Sequence, residues 1–189
     1  GHSAPVTALG LLAVLAAVAP RADVGTAGGL MLTQPPAARP ASLGEAYAAE
    51  GGRADVLAYN PAGLGALAGT ELSALYHAGF SGDTLLSAQG GFRIPRGALA
   101  VGAAYYNAGS VEKLLVNGDL VEISGERDVV AQAGAGFALP WAGLSLGGAA
   151  EVLHSQLVEE IEGTAVAGSL GVRWELPARG LAFGAAAQH

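Results

Sequence analysis

Charged residues are scarce in this chain. They make up 13% of its 189 positions, about half the share found in an ordinary soluble domain. Such a low share indicates that much of the surface does not face water. Only nine residues are Lys or Arg, against sixteen Asp or Glu, and the net charge is −7. No nucleic-acid partner is therefore expected, because such a partner requires a basic patch.

Cysteine is absent, which fits an envelope protein that manages without disulfides. The apolar run at residues 8–19 has twelve residues, too few for a spanning helix but within the range of a signal-peptide core. We interpret residues 1–22 as an incomplete signal peptide. A short buried helix is the alternative, although the Ala/Pro/Gly-rich sequence that follows offers it little to pack against.

Motifs of catalysis are also lacking. The sequence has no nucleophile elbow, and its glycine pairs lie inside predicted strands, where a phosphate-binding loop cannot form. His77 and His154 lack the spacing of metal ligands. We therefore expect no enzymatic activity, no metal site and no cofactor. Glu159, Glu160 and Glu162 could together bind a cation, but a solvated acidic loop is the preferred interpretation.

The chain from residue 70 to residue 189 has an alternation of period two. Apolar residues alternate with small or polar ones in seven runs, each near the 9–11 residues of a tilted transmembrane strand. The runs are residues 71–80, 86–94, 99–105, 129–139, 144–152, 166–176 and 181–189. This pattern predicts an all-β fold, an antiparallel transmembrane β-barrel in the bacterial outer membrane. Candidate lumen-facing residues are Glu71, His77, Gln89, Arg93, Gln132, Glu151, Arg173 and Glu175.

The connections between the runs alternate in length. Tight turns are predicted after Ile94, Leu139 and Leu176, whereas the links around residues 110–127 and 155–163 are longer and more charged. Outer-membrane barrels have short periplasmic turns and longer outer loops. The Asn117-Gly118 pair predicts that the first long link is itself a hairpin. Five aromatic residues near the short turns resemble an interfacial girdle: Phe92, Phe137, Trp141, Trp174 and Phe183.

Two other folds share parts of this pattern. A soluble β-sandwich has the same alternation, with the apolar face as its core, and alanine-rich runs favour helices by propensity. The predicted export signal, the low charge and the asymmetry of the connections oppose the sandwich. The glycine content and the period of two oppose the helices.

Residues 23–69 form an Ala/Pro-rich segment with two local signals. Ser42 as a cap, with Glu45 at the capping-box spacing, predicts a short helix between residues 41 and 52. Asn60-Pro61 predicts a turn, because proline fixes its own φ and disfavours the helical region at the residue before it. Gly63 would then provide a left-handed step, while Arg53 and Asp55 are expected to be solvated.

The runs 38–47 and 57–64 resemble the N-terminal segment of FadL-like outer-membrane proteins. That family includes long-chain fatty-acid transporters and the PorV-type barrels associated with type IX secretion. The resemblance implies a hatch that lies at the periplasmic end of the barrel or inserts into its lumen. Its motif here is Asn60, Pro61, Ala62, Gly63 and Leu64. Family members have about twice as many strands, so we expect this chain to be a truncated half of a larger barrel.

Two functions follow from the resemblance, and the shared motif does not choose between them. The first is transport of hydrophobic compounds across the outer membrane. The second is a PorV-like role, in which the barrel binds secreted cargo or a secretion machine. The expected partners are therefore the lipid bilayer and either a hydrophobic small molecule or a secreted protein.

Overall fold

The computed structural model describes residues 29–114, 119–140, 143–157 and 161–188. The predicted signal peptide, residues 1–22, lies outside these ranges. The prediction of an antiparallel all-β fold is confirmed. Seven strands form one curled, half-barrel sheet, and the helices are few and short.

The strands follow one another in the sheet in chain order, and all neighbours are antiparallel. They are β1 (Glu71–Ala78), β2 (Thr84–Ile94), β3 (Gly97–Asn107), β6 (Glu126–Ala138), β7 (Leu144–Leu157), β8 (Ile161–Leu176) and β9 (Leu181–Gln188). A separate hairpin of β4 (Ser110–Leu114) and β5 (Leu120–Ser124) is inserted between β3 and β6. The predicted hairpin is thus confirmed, whereas its Asn117-Gly118 turn lies outside the described residues.

The helices lie mainly in the N-terminal segment, a name used from here for residues 29–69. Four are 3-10 helices and one is an α-helix. They are η1 (Leu30–Thr33), α1 (Ala38–Ser42), η2 (Ala54–Ala58), η3 (Pro61–Ala66) and η4 (Pro177–Arg179). Within the described ranges, no helix is long and apolar enough to cross a membrane.

The prediction of a helix between residues 41 and 52 is wrong, because α1 ends where that helix would begin. Gly44 and Glu45 have φ values of 59° and 63°, in the left-handed region that stops a helix. The Glu45 amide donates to the Pro40 carbonyl at 2.9 Å and closes the end. Ser42 does not cap a new helix, because its hydroxyl donates back to the Arg39 carbonyl.

The sheet has an apolar outer face and a concave inner face. Residues two apart on a strand point to the same side, so one parity of each strand faces outward. The large apolar side chains exposed on that side are Leu72, Tyr76, Leu86, Phe92, Leu99, Val101, Tyr105, Val129, Phe137, Leu146, Val152, Val166, Leu170, Trp174, Leu181 and Phe183. An exposed apolar surface of this extent is rare on soluble monomers and marks an interaction surface.

The connections at one end of the sheet are short, as predicted. Only Pro95 and Arg96 join β2 to β3, and Arg96 has a φ of 66°. The short helix η4 and Gly180, with a φ of 62°, join β8 to β9.

The prediction of a long loop at residues 155–163 is wrong, because β7 continues to Leu157 and β8 begins at Ile161. The polar residues of this region pair across the two strands instead of forming a loop. The His154 Nδ1 lies 3.0 Å from the Thr164 hydroxyl, and the Gln156 amide donates to Glu162 at 3.3 Å. The asymmetry of the connections therefore depends mainly on the link between β3 and β6.

Candidate functional site on the concave face

The N-terminal segment packs into the concave face of the sheet and makes the protein core there. Two clusters of buried apolar residues join the segment to the strands. The first contains Tyr47, Val56, Leu57, Leu64, Leu67, Ala98 and Ala100. The second contains Met31, Leu85, Ala104, Tyr106 and Val130. The segment therefore occupies the hollow of the half-barrel.

Asn60 anchors the middle of the segment and is fully buried. Its side-chain oxygen accepts from the Ala62 amide at 3.1 Å and caps η3, with Pro61 as the first helical residue. Its side-chain amide donates to the Ala48 carbonyl at 2.7 Å and to the Val172 carbonyl of β8 at 3.0 Å. One side chain therefore ties two parts of the segment to the sheet.

The predicted turn at this motif is in fact the start of η3. Asn60 is extended, with a φ of −150°, as expected for a residue before proline. Gly63 does not take the predicted left-handed conformation. It is needed for space instead, because a Cβ there would lie 2.5 Å from the Glu50 carbonyl oxygen and 3.1 Å from Val56.

A row of three glycines lies beneath this motif and is called the glycine row. It consists of Gly136, Gly147 and Gly171, which are opposite one another on β6, β7 and β8. A Cβ at Gly136 or Gly147 would overlap the Pro61 backbone, and one at Gly171 would overlap the Asn60 side chain. The row lets the backbone of the segment lie directly on the sheet.

Arg53 and Asp55, predicted to be solvated, belong to a network at the edge of the segment. Asp55 is only 1% exposed and accepts from the Tyr47 hydroxyl at 2.9 Å and from the Arg53 guanidinium at 3.1 Å. Arg53 also forms an ion pair with Glu71 of β1 at 3.2 Å. The prediction failed for Asp55 because a buried carboxylate is tolerated where it is paired and hydrogen-bonded, and Arg53 and Tyr47 provide those contacts.

Two tyrosines pack edge to face beside this network. The rings of Tyr47 and Tyr59 are 5.3 Å apart. Burial, followed by the hydrogen bond to Asp55, raises the pKa of Tyr47 to about 12. Burial likewise raises the pKa of Tyr59 to about 12. Both hydroxyls therefore stay protonated at neutral pH.

Charged and amide side chains of the sheet hold other parts of the segment. Arg173 donates to the Ala49 carbonyl at 2.8 Å and pairs with Glu175 at 2.7 Å. Arg93 donates to the Leu67 and Ala68 carbonyls at 3.3 and 3.2 Å.

Two further amides complete these contacts. Gln89 of β2 donates to the Pro36 carbonyl at 3.2 Å. Gln188 of β9 donates to the Ala58 and Tyr59 carbonyls at 2.8 and 3.0 Å. The side chains of the sheet therefore hold the segment mainly by donating hydrogen bonds to the backbone carbonyl groups of the segment.

Two buried acids on β6 that sequence reasoning missed hold the start of the segment. Glu126 and Asp128 are 3% and 0% exposed. Glu126 accepts from the Gly29 amide, and Asp128 accepts from the Met31 amide at 3.2 Å. Their parity matches that of Gln132, so extending the predicted run 129–139 by three residues toward the N-terminus would have placed them on the concave face.

The predicted lumen-facing residues all belong to the concave-face parity of their strands, but the structure gives them different settings. Glu71, Gln89, Arg93 and Arg173 contact the N-terminal segment, and Glu175 pairs with Arg173. His77 is exposed at the far end of β1. Gln132 and Glu151 lie directly opposite each other on β6 and β7.

Gln132 and Glu151 line two adjoining cavities between the segment and the sheet. The larger has a volume of about 290 Å³ and is also lined by Leu32, Leu57, Ala149, Ala167 and Ser169. The smaller, of about 140 Å³, shares Leu32, Gln132 and Glu151 with it and extends to Glu45 and Tyr59. Within the described residues, no group of three or more His, Asp or Glu side chains is arranged to hold a metal ion.

Comparison with known proteins adds no relative. No protein-family model, no curated protein and no solved structure matches the chain. The resemblance to FadL-like proteins accordingly stays a prediction carried by the motif around Asn60.

Proposed function

We propose that this sheet is part of an outer-membrane β-barrel and that its apolar outer face contacts lipid. The strands have 8 to 16 residues. Most of them match or exceed the length that a tilted strand needs to cross the hydrocarbon layer. The apolar side chains on the outer face are solvent-exposed in the isolated sheet, whereas most charged and amide side chains of the strands lie on the concave face, beside the apolar core. This distribution is that of a membrane barrel and the reverse of a soluble sandwich, whose apolar face would be covered.

Aromatic residues near both strand ends support this proposal. Phe92, Phe137, Trp174 and Phe183 face outward near the short connections. Tyr76 and Tyr105 face outward near the other end of the sheet and flank Leu86 in the register. Girdles of aromatic residues at both interfaces are typical of outer-membrane barrels. Trp141, the fifth residue of the predicted girdle, lies outside the described residues.

The function that the geometry supports best is transport of hydrophobic compounds, with the N-terminal segment as a hatch. The observation that carries this proposal is the position of the N-terminal segment. The segment fills the hollow of the half-barrel over the glycine row, and cavities remain between the segment and the sheet. A passage through the hollow therefore requires the segment to shift. The segment is held by the two apolar clusters, by hydrogen bonds and by the close contacts over the glycine row, all of which the movement must break and remake.

A disulfide between the segment and the wall tests this proposal. A Cβ at Gly65 would lie 2.9 Å from the Ser145 hydroxyl oxygen on β7, within the reach of a disulfide. It would also lie 3.0 Å from the Ala138 backbone nitrogen, a tight contact that the Gly65→Cys single variant shares. The chain has no other cysteine. The full-length Gly65→Cys/Ser145→Cys protein should take up radiolabelled octanol into intact cells only after reduction. Each single variant, which cannot be locked, serves as the control. Equal uptake by the oxidised and reduced double variant would contradict a moving hatch.

The β4–β5 hairpin supports a second candidate, the PorV-like role. It extends the chain beyond the sheet and exposes Leu120 and Val121, which are 63% and 40% exposed. Gly125 and Gly109 are already joined by a backbone hydrogen bond of 2.8 Å, so residues 110–124 can be removed without disturbing the pairing of β3 with β6. If the hairpin binds secreted cargo, its deletion should abolish cargo binding and leave octanol uptake unchanged. Transport alone predicts no change in either measurement.

A further inference from the structure

The larger cavity contains two polar side chains that the structure does not use elsewhere. Gln132 is 9% exposed, and neither it nor Glu151 forms a hydrogen bond or ion pair with another described residue. The other long polar side chain, Gln188, is committed to the Ala58 and Tyr59 carbonyls. Buried polar groups are almost always hydrogen-bonded, so the amide of Gln132 is available to a ligand. The half-buried carboxylate of Glu151 lies beside it.

The two side chains form one binding unit. They are register partners on neighbouring antiparallel strands, an arrangement that brings Cβ atoms within about 4.5–5.5 Å of each other. Gly102 lies opposite Gln132 on β3, and a Cβ there would lie 3.1 Å from the Gln132 side chain. Ala167 lies opposite Glu151 on β8. Ala167 leaves space beside Glu151, whereas the space over Gly102 is taken by the side chains of Gln132 and Gln89.

The charges around the cavities have one sign. Among the described residues that line them, Glu45 and Glu151 are charged, and no Lys, Arg or His is present. An anionic ligand would bring its charge toward Glu151 with no cation to offset the repulsion. A cation would satisfy that carboxylate and could also donate a hydrogen bond to the Gln132 carbonyl oxygen.

Apart from Ser169 and Gln188, the side chains of the remaining wall are apolar or absent. Leu32 and Leu57 of the segment face Ala149 and Ala167 of the sheet across the larger cavity. A volume of about 290 Å³ is near the lower limit of small-molecule sites. The cavity therefore suits a short hydrocarbon chain with a single polar end.

We propose that this cavity binds amine-bearing hydrophobic compounds, with the ammonium group on Glu151 and Gln132 and the hydrocarbon between the segment and β7–β8. The proposal rests on the proposed transport function and names its substrate class. We expect fatty-acid anions to bind weakly, because Glu151 would repel their carboxylate.

Binding of three probes of equal chain length tests the assignment. Octylamine, octanol and octanoate are titrated by calorimetry into the purified full-length protein in detergent. Octylamine should bind at least about tenfold more tightly than octanoate, since a charge-assisted hydrogen bond is strong enough for that difference. Glu151→Gln should remove this preference. Glu162→Gln, which removes a carboxylate of β8 outside the cavities, should keep it. Comparison of the two variants cancels partition of the probes into detergent.

A third variant separates the roles of the two side chains. Gln132→Met keeps the length of the side chain and removes its polar groups, so it should weaken octylamine and octanol alike. Octanoate binding as tightly as octylamine, or an octylamine affinity that Glu151→Gln leaves unchanged, would overturn the proposed ligand class. Octylamine binding that depends on Glu151, in a protein that gives cells no uptake, would instead overturn the transport function and leave the site in place.

Discussion

At the scale of single residues, Asn60 carries more of the structure than its sequence setting shows. An Asn-Pro pair predicts a local break in regular structure, and the extended backbone of Asn60 agrees with that. The bonds that matter most are not local, because they join Asn60 to Ala48 and to Val172, which is 112 residues away. Sequence reasoning could locate the motif but could not identify its distant acceptors.

Replacing this side chain should loosen the segment. Asn60→Ala removes the cap of η3 and the donor to two carbonyl groups, at a cost of about 1–3 kcal/mol. The expected result is faster hydrogen exchange at the amides of η2 and η3, while the strands keep their protection. Asn107→Ala is the matched control, because Asn107 bonds only the nearby Gly109 amide in a connection. Equal loosening of the segment by both variants would contradict the anchoring role.

At the scale of elements, the period of two predicted the sheet well and the helices poorly. Alternation is a direct consequence of strand geometry, so faces and strand positions could be read from the sequence. Short helices depend on end effects, and the left-handed backbone at Gly44 and Glu45 moved the helix upstream of the predicted site. Polar residues such as Gln156 and Glu162 suggested a loop because cross-strand pairing is invisible in a linear sequence.

The glycine row provides a test at this scale, with its control on the same strand. Gly171→Ala should displace Asn60 and destabilise the docked segment by about 1–3 kcal/mol, the usual cost of overpacking. Gly168→Ala lies on the outer face of β8, where the nearest atom to a new Cβ is 3.8 Å away, and should be neutral. Limited proteolysis of the segment measures the difference. A Gly171→Ala protein as resistant as wild type would show that the segment does not need this close approach.

At the scale of the whole molecule, the exposed apolar face is the feature by which the proposed membrane barrel differs from a soluble sandwich. Leu146 is 45% exposed on the outer face but lies opposite Phe137, near the short connections, whereas Leu170 is 72% exposed near the middle of β8. Ser145, beside Leu146, is buried under the segment. An arginine at residue 145 would therefore disturb the segment, so it is unsuitable as a mild control for the lipid face.

Arginine at two depths of the outer face gives a sharper comparison. Leu170→Arg, near the middle of β8, should destabilise folding into bilayers by about 2–4 kcal/mol, the cost of an arginine near the midplane. Thr164→Arg, on the extended polar end of β8, should cost at most about 1 kcal/mol. Folding titrations into lipid vesicles measure both. Equal costs at the two positions would contradict a membrane-embedded outer face.

The position of the N-terminal segment against the sheet also indicates the order in which the parts of the protein fold. The Arg173 bond to Ala49 spans 124 residues, and the Gln188 bond to Ala58 spans 130. The segment is synthesised before every strand of the sheet, yet its docking surface extends from β1 to β9. Contacts of such high sequence separation form late, after loop closure has been completed by nearer pairings. We expect the sheet to assemble first, with its hollow empty. The N-terminal segment, although it is synthesised first, then docks last.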